Sequence, residues 1–345
     1  MRELPLFSSE LAGCPVDLSD NTNLWGAPPA AVRVVASAPV AALSRYPTVY
    51  SEPLRAGMLR YLGLDHEAGV GVVTGCGSDD VLDSTMRAFG AAGDRLAFSS
   101  PTFSMIPVLA RLNGLEPVAI PLSSTFDIDA ERLVAARAKI TYLCAPNNPT
   151  GTPVSRGAVE HVVAHARGIV LLDEAYAEFA PEVLTDLVAR NERLIVARTF
   201  SKAFGLAGLR VGYGVGASDI TRLVERARGP YKVNALAERA VLAALGPTPD
   251  GLPWVQAHAA LAVENRQRLV AALGQLGLPA LPSVANFVMV PDARASERAA
   301  VLRARGIFVR SVGGMPERPR RASPCASPRA GAEARASLPV QARPW

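Results

Sequence analysis

Short apolar runs alternate with amphipathic stretches through the central part of the chain. The runs are separated by turn-forming residues such as Gly, Pro and Asn, and several are apolar at nearly every position. A short continuous apolar run between turn residues is typical of a strand that is buried on both faces of a sheet. The pattern predicts seven strands, at residues 72–74, 95–99, 117–122, 140–144, 169–172, 194–197 and 211–215.

Helical periodicity accompanies these strands. Apolar residues at helical spacing predict one helix through Leu54, Met58 and Leu62 and another over residues 81–89. Strands that alternate with helices form a mostly parallel sheet. The predicted fold class is therefore α/β, with a large domain built on a mostly parallel seven-stranded sheet and a smaller α+β domain.

The pattern changes on either side of the large domain, which we assign to residues 45–246. Residues 1–44 are rich in turn formers and predict an irregular arm that contributes to the small domain. Residues 247–314 predict an incomplete small C-terminal domain, with helices at 254–276 and 295–305 and a strand at 306–310. Residues 315–345 are mostly Arg, Pro, Ala and Ser and predict a disordered or frameshifted tail.

Composition narrows the class of protein. The 345 residues are 49% hydrophobic and 19% charged, which is ordinary for a globular protein with a large core. No apolar run of about 18 residues appears and the first residues do not resemble a signal peptide, so no membrane association is expected. The four cysteines are far apart and form no C-x-x-C pair. That spacing predicts no metal site, no disulfide framework and a cytoplasmic location.

The net charge of +5 belongs mainly to the tail. Residues 315–345 carry six arginines and two glutamates, hence +4, and the rest of the chain is close to neutral. A protein that binds nucleic acid through its charge needs a basic patch on a folded part. We therefore expect no nucleic-acid partner.

One lysine lies in an unusual setting. Lys202 follows the apolar run at 194–197 and has Phe, Ala, Gly and Leu as sequence neighbours, with Arg210 eight residues on. Burial disfavours the charged form of an ammonium group and so makes the amine a usable nucleophile. A chance lysine at the mouth of a loop is the alternative interpretation.

Further polar clusters follow the other strands, at the edge where parallel sheets bind ligands. A planar, phosphorylated pyridine that carries an aldehyde is one ligand that such clusters could hold. Lys202 would bond to the aldehyde carbon, and Asp173, a costly carboxylate at the end of a buried strand, would pair with the ring nitrogen. At about 4 Å and an effective dielectric of about 20, such a pair is worth about 4 kcal/mol. That is enough to keep the nitrogen protonated at pH 7.

Residues on neighbouring loops suit the rest of such a ligand. Asn148 and Tyr176 are candidates for hydrogen bonds to the ring hydroxyl, and Phe103 offers a flat surface for stacking. A phosphate needs donors, which backbone N–H groups at a helix start, hydroxyls and a guanidinium provide. The candidate phosphate ligands are Gly77, Ser78, Asp79, Thr199, Ser201 and Arg210.

Each of these features also has a purely structural explanation when it is taken alone. A two-glycine turn at 75–77 is common after a strand, and Asp173 fits a helix cap. Phe103 fits a core position, and residues 147–151 fit an ordinary turn. Their combination, in this order and after these strands, favours a common site.

With these residues assembled, the chain resembles the fold-type I pyridoxal-phosphate enzymes of the class I/II aminotransferases, and among them the histidinol-phosphate aminotransferases. The likeness extends from about residue 15 to residue 312. The motifs that carry it are Arg45-Tyr46-Pro47, Gly77-Ser78-Asp79, Pro101-Thr102-Phe103-Ser104-Met105, Asn147-Asn148-Pro149-Thr150-Gly151, Asp173-Glu174-Ala175-Tyr176, the stretch from Ser201 to Arg210, and Ala285-Asn286-Phe287.

The resemblance implies a pyridoxal 5′-phosphate cofactor, an amino donor and a keto-acid acceptor as substrates, and a homodimer with its sites at the subunit interface. It implies that Tyr46 reaches the cofactor phosphate of the partner subunit. It makes Asn21, Asn23, Asn286 and Arg310 the candidate substrate residues. The histidinol-phosphate subfamily implies a step of histidine biosynthesis, in which histidinol phosphate and 2-oxoglutarate give imidazole acetol phosphate and glutamate.

Two departures from the family pattern matter. The arm has Asn21-Thr22-Asn23-Leu24 where the family has Asn-Glu-Asn-Pro. After residue 314 no sequence pattern matches the family's strand with the carboxylate-clamping arginine, or its closing helix. We hypothesise a shift of the coding frame near residues 313–317, which would leave cofactor binding intact and weaken transamination.

Three alternatives stay open. Two share the fold, namely a threonine-phosphate decarboxylase and an aromatic amino-acid aminotransferase. The third is a catalytically impaired remnant that still binds the cofactor, for which the aberrant tail is the main support. An NAD-binding protein is disfavoured, because no G-x-G-x-x-G follows a strand with an acidic residue about 20 positions on.

Overall fold

The computed structural model describes residues 13–64 and 69–312. In chain order the elements are β1 (Val16–Asp17), α1 (Pro29–Ala36), α2 (Ala41–Ser44), α3 (Glu52–Leu62), β2 (Val70–Gly75), α4 (Gly77–Phe89), β3 (Arg95–Ser100), α5 (Ile106–Leu112), β4 (Glu116–Pro121), α6 (Ala130–Ala135), β5 (Ile140–Cys144), α7 (Arg156–His165), β6 (Ile169–Asp173), β7 (Leu194–Thr199), β8 (Gly212–Ala217), α8 (Ser218–Arg228), α9 (Ala235–Ala244), α10 (Leu252–Gln275), α11 (Ala295–Ala304) and β9 (Ile307–Phe308). Short 3-10 helices lie at Ala177–Phe179, Thr185–Arg190 and Ala207–Leu209.

A seven-stranded sheet in the order β2-β8-β7-β6-β5-β3-β4 forms the centre of the fold. Strand β8 is antiparallel to both of its neighbours, and the remaining pairs are parallel. Strands β2, β5, β6 and β7 are buried at every position, as expected when both faces of a sheet are covered. The prediction of a mostly parallel seven-stranded α/β sheet is confirmed.

The sheet brings the ends of its parallel strands to one edge. Because β8 is antiparallel to both β2 and β7, these two strands run in the same direction. Strands β6, β5 and β3 also run in that direction, because neighbours in the order β7-β6-β5-β3 pair in parallel. Two strands end later than their apolar runs predict, because the ladder continues to Asp173 in β6 and to Thr199 in β7. Asp173 and Thr199 therefore lie at the ends of their strands, at the edge of the sheet where the following loops begin.

The N-terminal stretch is more regular than its turn-forming residues indicate. The predicted irregular arm is wrong for most of residues 29–44, which contain α1 and α2. Pro29 occupies the first turn of α1, where the N–H that proline lacks would have no helical partner. Ala30 and Ala31 are buried as α1 packs against α9. Tertiary packing of small apolar residues thus overrides the turn signal.

The C-terminal part of the described chain follows the predicted pattern with one shorter strand. The helices expected at 254–276 and 295–305 are present as α10 and α11. The strand expected at 306–310 shrinks to Ile307–Phe308, which pairs in parallel with β1 in a separate two-stranded sheet. The domain boundaries at 44, 246 and 314 stay a prediction. The tail at 315–345 and the proposed frame shift near 313–317 lie outside the described residues.

Residues 13–64 and 69–312 lack both a membrane-spanning helix and a cluster of metal ligands. None of their helices is both long enough and apolar enough to cross a bilayer. Nor do they contain a group of three or more His, Cys, Asp or Glu side chains placed to hold a metal ion.

A buried charge network ties the strand ends to the loops that follow them. Arg198 on β7 is 3% exposed and pairs with Glu174 at 3.4 Å and with Glu178 at 2.7 Å. It also donates to the hydroxyl of Thr185 at 3.0 Å, and Thr185 donates to Glu174. Burial raises the pKa of Glu174, and the charge of Arg198 opposes that rise. Because Glu174 directly follows Asp173, the network holds the loop that begins at Asp173.

Replacing Arg198 by methionine should lower the free energy of unfolding by about 3–5 kcal/mol, because Glu174 and Glu178 would remain buried without their cation. Urea unfolding followed by circular dichroism measures this change. Arg222→Met is the matched control, since Arg222 pairs with Asp219 on the exposed surface and its loss should cost at most about 1 kcal/mol. Equal losses in the two variants would contradict the structural role of Arg198.

Candidate active site

Two buried aromatic residues anchor the loop that carries Lys202. Phe200 and Phe204 are 0% and 1% exposed, and their rings meet edge-to-face with centroids 4.7 Å apart. Phe204 also packs edge-on against Tyr61 of α3. The packing of these two rings in the core therefore fixes the backbone of the loop. Lys202 lies on this loop, at the edge of the sheet where the parallel strands end.

The Lys202 amine lies among groups from three parts of the chain. Its Nζ donates to the carbonyl oxygen of Asp20 at 2.7 Å and lies 5.7 Å from the centroid of the Tyr176 ring. Burial lowers the pKa of Lys202 to about 8, although the charges of Asp20 and Asp79 act in the opposite direction. A large fraction of the amine is consequently neutral near pH 8, as a nucleophile or general base requires.

Asp173 is a buried carboxylate without a cationic partner among the described residues. Its side chain is 4% exposed, Oδ1 accepts from the Ala175 N–H at 3.0 Å, and Oδ2 accepts from the Tyr142 hydroxyl at 2.9 Å. Burial raises the pKa of Asp173 to about 6, and these two hydrogen bonds limit the rise. A carboxylate in this environment gains from a cation that enters the site.

Lys202 and Asp173 share two neighbours, Asp79 and Tyr176. The charge of Asp79 shifts the pKa of both groups, so both lie within its electrostatic reach. Tyr176 is near both as well, since its ring contacts Lys202 and the charge of Asp173 acts on its hydroxyl. The structure therefore brings together the amine and the carboxylate that the sequence assigned to one ligand.

The predicted phosphate residues gather around the start of α4. This helix begins at Gly77, whose φ of +80° is a conformation that glycine adopts without strain. A Cβ on Gly77 would lie 2.6 Å from Arg210 Nη2, so the guanidinium covers the helix start. Arg210 Nη1 is 3.5 Å from Ser201 Oγ, and Nη2 is 3.7 Å from Asp79. Helix-start N–H groups next to a guanidinium form a suitable anion site.

The remaining two phosphate candidates complete the same region. Thr199 Oγ1 accepts from the Ser201 N–H at 3.1 Å and donates to its hydroxyl at 3.0 Å. A Cβ on Gly212, which pairs with Thr199 in the sheet, would lie 2.4 Å from the Ser78 amide nitrogen. The first residue of β8 thus lies directly against the start of α4.

The two asparagines after β5 have different roles. Asn147 is 2% exposed and its Nδ2 donates to Pro101 O and to Thr150 Oγ1, so it holds the loop. Asn148 is half-buried and is the asparagine that the sequence assigned to the ligand. Phe103 is also half-buried and packs against the core on the Asp173 face of the sheet. A stacking role for Phe103 stays a prediction.

The arm brings the candidate substrate residues over the site. Asn21 Nδ2 donates to the Tyr176 hydroxyl at 3.1 Å, and Asn23 Nδ2 donates to Ala203 O at 2.8 Å. Asn286 Nδ2 donates to Asn21 O at 3.0 Å, whereas its buried Oδ1 has no hydrogen-bond partner among the described residues. Arg310 is exposed, and its charge acts on the pKa of Tyr176 and of Lys202, so it lies within electrostatic reach of both.

Tyr46 is the predicted site residue that lies outside this group. It is 82% exposed, and its ring stacks on Tyr231 with centroids 4.7 Å apart. Tyr142, in contrast, contacts Asp173 and was missed by the sequence analysis. A phenol inside the buried run 140–144 needs a hydrogen-bond partner, so the sequence already indicated that Tyr142 has one. Which residue is the partner depends on strand register.

Known proteins identify the family to which this arrangement belongs. The model of the aminotransferase class I and II family matches residues 15–328. The chain is a member of that family. The histidinol-phosphate aminotransferase of Roseiflexus castenholzii is 39% identical to it over 320 residues, 88% of this chain and 84% of that protein. The aromatic amino acid aminotransferase of Corynebacterium glutamicum is 35% identical over 303 residues, 85% of each protein.

Solved structures agree with this membership. The crystal structure of histidinol-phosphate aminotransferase from Sinorhizobium meliloti, in complex with pyridoxal 5′-phosphate, superimposes with a TM-score of 0.79 at 26% identity. It covers 92% of this chain and 89% of that one. The resemblance to class I/II aminotransferases and the fold that it implied are confirmed.

The pKa of Lys202 predicts selective reactivity that can be measured on the apoprotein. Lys202 is one of three lysines in the chain, with Lys139 and Lys232 as internal references. About half of an amine of pKa about 8 is neutral at pH 8, against less than about 1% for a model lysine. Reductive methylation followed by peptide mass spectrometry should show labelling of Lys202 that rises with a midpoint near pH 8. A Lys202 profile that rises only near pH 10 would contradict the burial argument.

Proposed function

We propose that the protein is a pyridoxal 5′-phosphate-dependent aminotransferase that converts histidinol phosphate and 2-oxoglutarate to imidazole acetol phosphate and glutamate. The observation that carries the reaction type is the placement of Lys202 and Asp173 near the same two residues, Asp79 and Tyr176. Lys202 is an amine with a pKa of about 8, and Asp173 is a buried carboxylate without a cationic partner among the described residues. The choice of substrate is supported by the relatives named above.

The residues present fit the three reactive parts of the cofactor. Lys202 suits the aldehyde carbon, Asp173 suits a protonated ring nitrogen, and the Gly77–Arg210 contact suits the phosphate. Asn148 and Tyr176 are the proposed partners of the ring hydroxyl, and Phe103 is the proposed stacking surface. When bound, pyridoxal 5′-phosphate supplies an electron-accepting ring that stabilises negative charge on the substrate carbon.

Lys202 has two roles in this proposal. Its Nζ would hold the cofactor covalently until the substrate amine replaces it, and the released amine would then act as general base and take the proton from the substrate carbon that bears the amino group. The lowered pKa serves both roles because each needs the neutral amine. The Asp20 carbonyl, 2.7 Å from Nζ, gives the free amine a defined position.

Asp173 is proposed to provide the charge that keeps the ring nitrogen protonated. The carboxylate is ionised above its pKa of about 6 and has no other cation among the described residues, so its charge is available to the ring. In the phosphate region, Ser78, Thr199 and Ser201 are proposed donors, and Asp79 orients Arg210 at 3.7 Å.

The arm and the β9 region are proposed to hold the substrate. Asn286 Oδ1 is a buried acceptor without a donor among the described residues, which suits a substrate amino or hydroxyl group. Asn21 and Asn23 are fixed by Tyr176 and Ala203 next to it, and Arg310 adds positive charge for the anionic donor or acceptor.

An aromatic amino-acid aminotransferase is the second candidate. It is favoured by a single observation, the 35% identity to the Corynebacterium glutamicum enzyme over 85% of the chain. Both candidates use the same chemistry at Lys202, so they differ in the substrate side chain alone. Residues 313–345, to which the impaired-enzyme hypothesis refers, lie outside the described part of the chain.

A homodimer is supported by an exposed apolar patch, which we define as Val40, Leu43, Tyr46, Tyr50 and Tyr231. These side chains are between 45% and 82% exposed. Tyr46 stacks on Tyr231, and large apolar side chains that are exposed close together mark contact surfaces. A second copy on this patch would bury Tyr46 and bring it to the partner's site, and we place the dimer in the cytoplasm.

The reaction is tested by the visible spectrum and turnover of the purified protein. Lys202→Ala should abolish the absorbance of the covalently bound cofactor and lower kcat by about 10²–10⁴, since the general base is lost. Lys139→Ala is the control, because Lys139 is exposed directly before β5, at the end of the strand away from the site, and should leave both signals unchanged. For the wild-type protein, kcat/KM for histidinol phosphate should exceed that for phenylalanine or tyrosine by at least about tenfold. The reverse order would establish the aromatic alternative, and carbon dioxide release from phosphothreonine would establish the decarboxylase.

The dimer is tested by a charge inside the apolar patch. Leu43→Asp should halve the mass measured by size exclusion with light scattering at micromolar concentration, because a carboxylate would be desolvated in the interface. Leu276→Asp is the matched control, with a similarly exposed leucine at the end of α10. A dimer that persists in Leu43→Asp would count against this surface.

A further inference from the structure

The hydroxyl of Tyr142 is a polar group buried beneath the site. The proposed reaction assigns it no role. The side chain is 0% exposed on the central strand β5. In the parallel register of β5 and β6, Cys144 lies opposite Asp173 and Tyr142 lies opposite Leu171. Alternate residues of a strand share a face, so Tyr142 points to the face that carries Asp173 and reaches its Oδ2 from two residues below.

We propose that Tyr142 is a positioning residue for the cofactor, whose hydroxyl holds the Asp173 carboxylate in the orientation that meets the ring nitrogen. This inference rests on the cofactor placement proposed above and adds a residue to it. The hydrogen bond is 2.9 Å long, and the Ala175 N–H holds the other oxygen at 3.0 Å. An ionised carboxylate has about four acceptor positions, so two positions stay open toward the ligand.

The direction of this hydrogen bond is fixed. Burial is the largest cause that raises the pKa of Tyr142 well above its ordinary value, and the charge of Asp173 adds to it. The phenol therefore keeps its proton through the physiological range and donates it, which favours the ionised form of Asp173.

Tyr142 is also the side chain whose removal changes Asp173 most directly. The titratable groups that act on Asp173 are Asp79 of α4, Glu174 of the same strand end, Cys144 and Tyr142 of β5, and Tyr176 of the following loop. Asp79 and Glu174 raise the pKa of Asp173, whereas Tyr142 and the Ala175 N–H lower it. Without the phenol, only the Ala175 N–H hydrogen bond would lower the pKa of Asp173, whereas burial and the two like charges would still raise it.

The test compares cofactor affinity across pH in apoprotein variants. Tyr142→Phe should weaken pyridoxal 5′-phosphate binding by about tenfold at pH 6.5 and by clearly less at pH 8.5. The sign follows from the pKa of Asp173, which rises further above 6 without the phenol, so the carboxylate is protonated at a higher pH. Taking the ratio to the wild-type protein cancels the titration of the cofactor's own groups.

Tyr61→Phe is the matched control for loss of a buried phenol. Tyr61 donates to Glu178 at 3.1 Å and belongs to the Arg198 network rather than to the Asp173 contacts. It should lower the Tm while leaving the pH dependence of the affinity ratio flat. A Tyr142→Phe ratio that is equally flat would overturn the proposal, because a purely structural role does not move the pH profile.

A second substitution keeps the test decisive if Tyr142→Phe does not fold. Incorporation of 3,5-difluorotyrosine at position 142 keeps the ring shape and makes a stronger donor, so the acid limb of the affinity profile should move to lower pH. A profile that coincides with that of the wild-type protein would overturn the proposal.

Asp173→Asn separates the two levels of inference, since unchanged affinity in this variant would overturn the cofactor placement as well. Weak binding in Asp173→Asn together with an unshifted Tyr142 profile would overturn the role of Tyr142 alone.

Discussion

A carboxylate buried at the end of a central strand, with no cation beside it among the described residues, is the constraint on which this site depends. Asp173 is 4% exposed, and the residues at 13–64 and 69–312 supply it with two hydrogen bonds but no counter-charge. Leaving such a group unpaired is costly, so the folded chain gains from a positively charged ligand atom at that point. The neutral amine of Lys202 and the anion site at Gly77 and Arg210 set the other two requirements for that ligand.

The two consecutive carboxylates of the strand end show how the sheet separates structure from function. Asp173 and Glu174 point to opposite faces because side chains alternate along a strand. Glu174 is neutralised by Arg198 and locked by Thr185, and it ties the following loop to the core. Asp173 on the other face lacks such a partner within the described part of the chain. The same peptide thus has one charge satisfied within the protein and one left for a ligand.

The arm supplies the cover of the site through polar contacts to parts that are remote in sequence. Asn21 reaches Tyr176, Asn23 reaches the carbonyl of Ala203, and the Asp20 carbonyl accepts from Lys202. Each contact joins residues that are more than 150 positions apart. Because these contacts are hydrogen bonds rather than apolar packing, their strength depends on water being kept out, which links arm docking to the chemistry below it.

The local pattern by itself determined the seven-stranded α/β sheet, the long helix α10, and the candidates Lys202, Asp173 and Arg210. These follow from short-range rules. Continuous apolar runs predict buried strands, and polar residues at the ends of parallel strands predict a ligand-binding site. Tertiary structure decided what such rules do not contain. Packing against α9 turned the proline-rich stretch at 28–36 into a helix, and strand register gave Asp173 the phenol of Tyr142. Which of Asp173 and Glu174 was neutralised depended on Arg198 from another strand, and a contact between strands has no signature in either strand's own sequence.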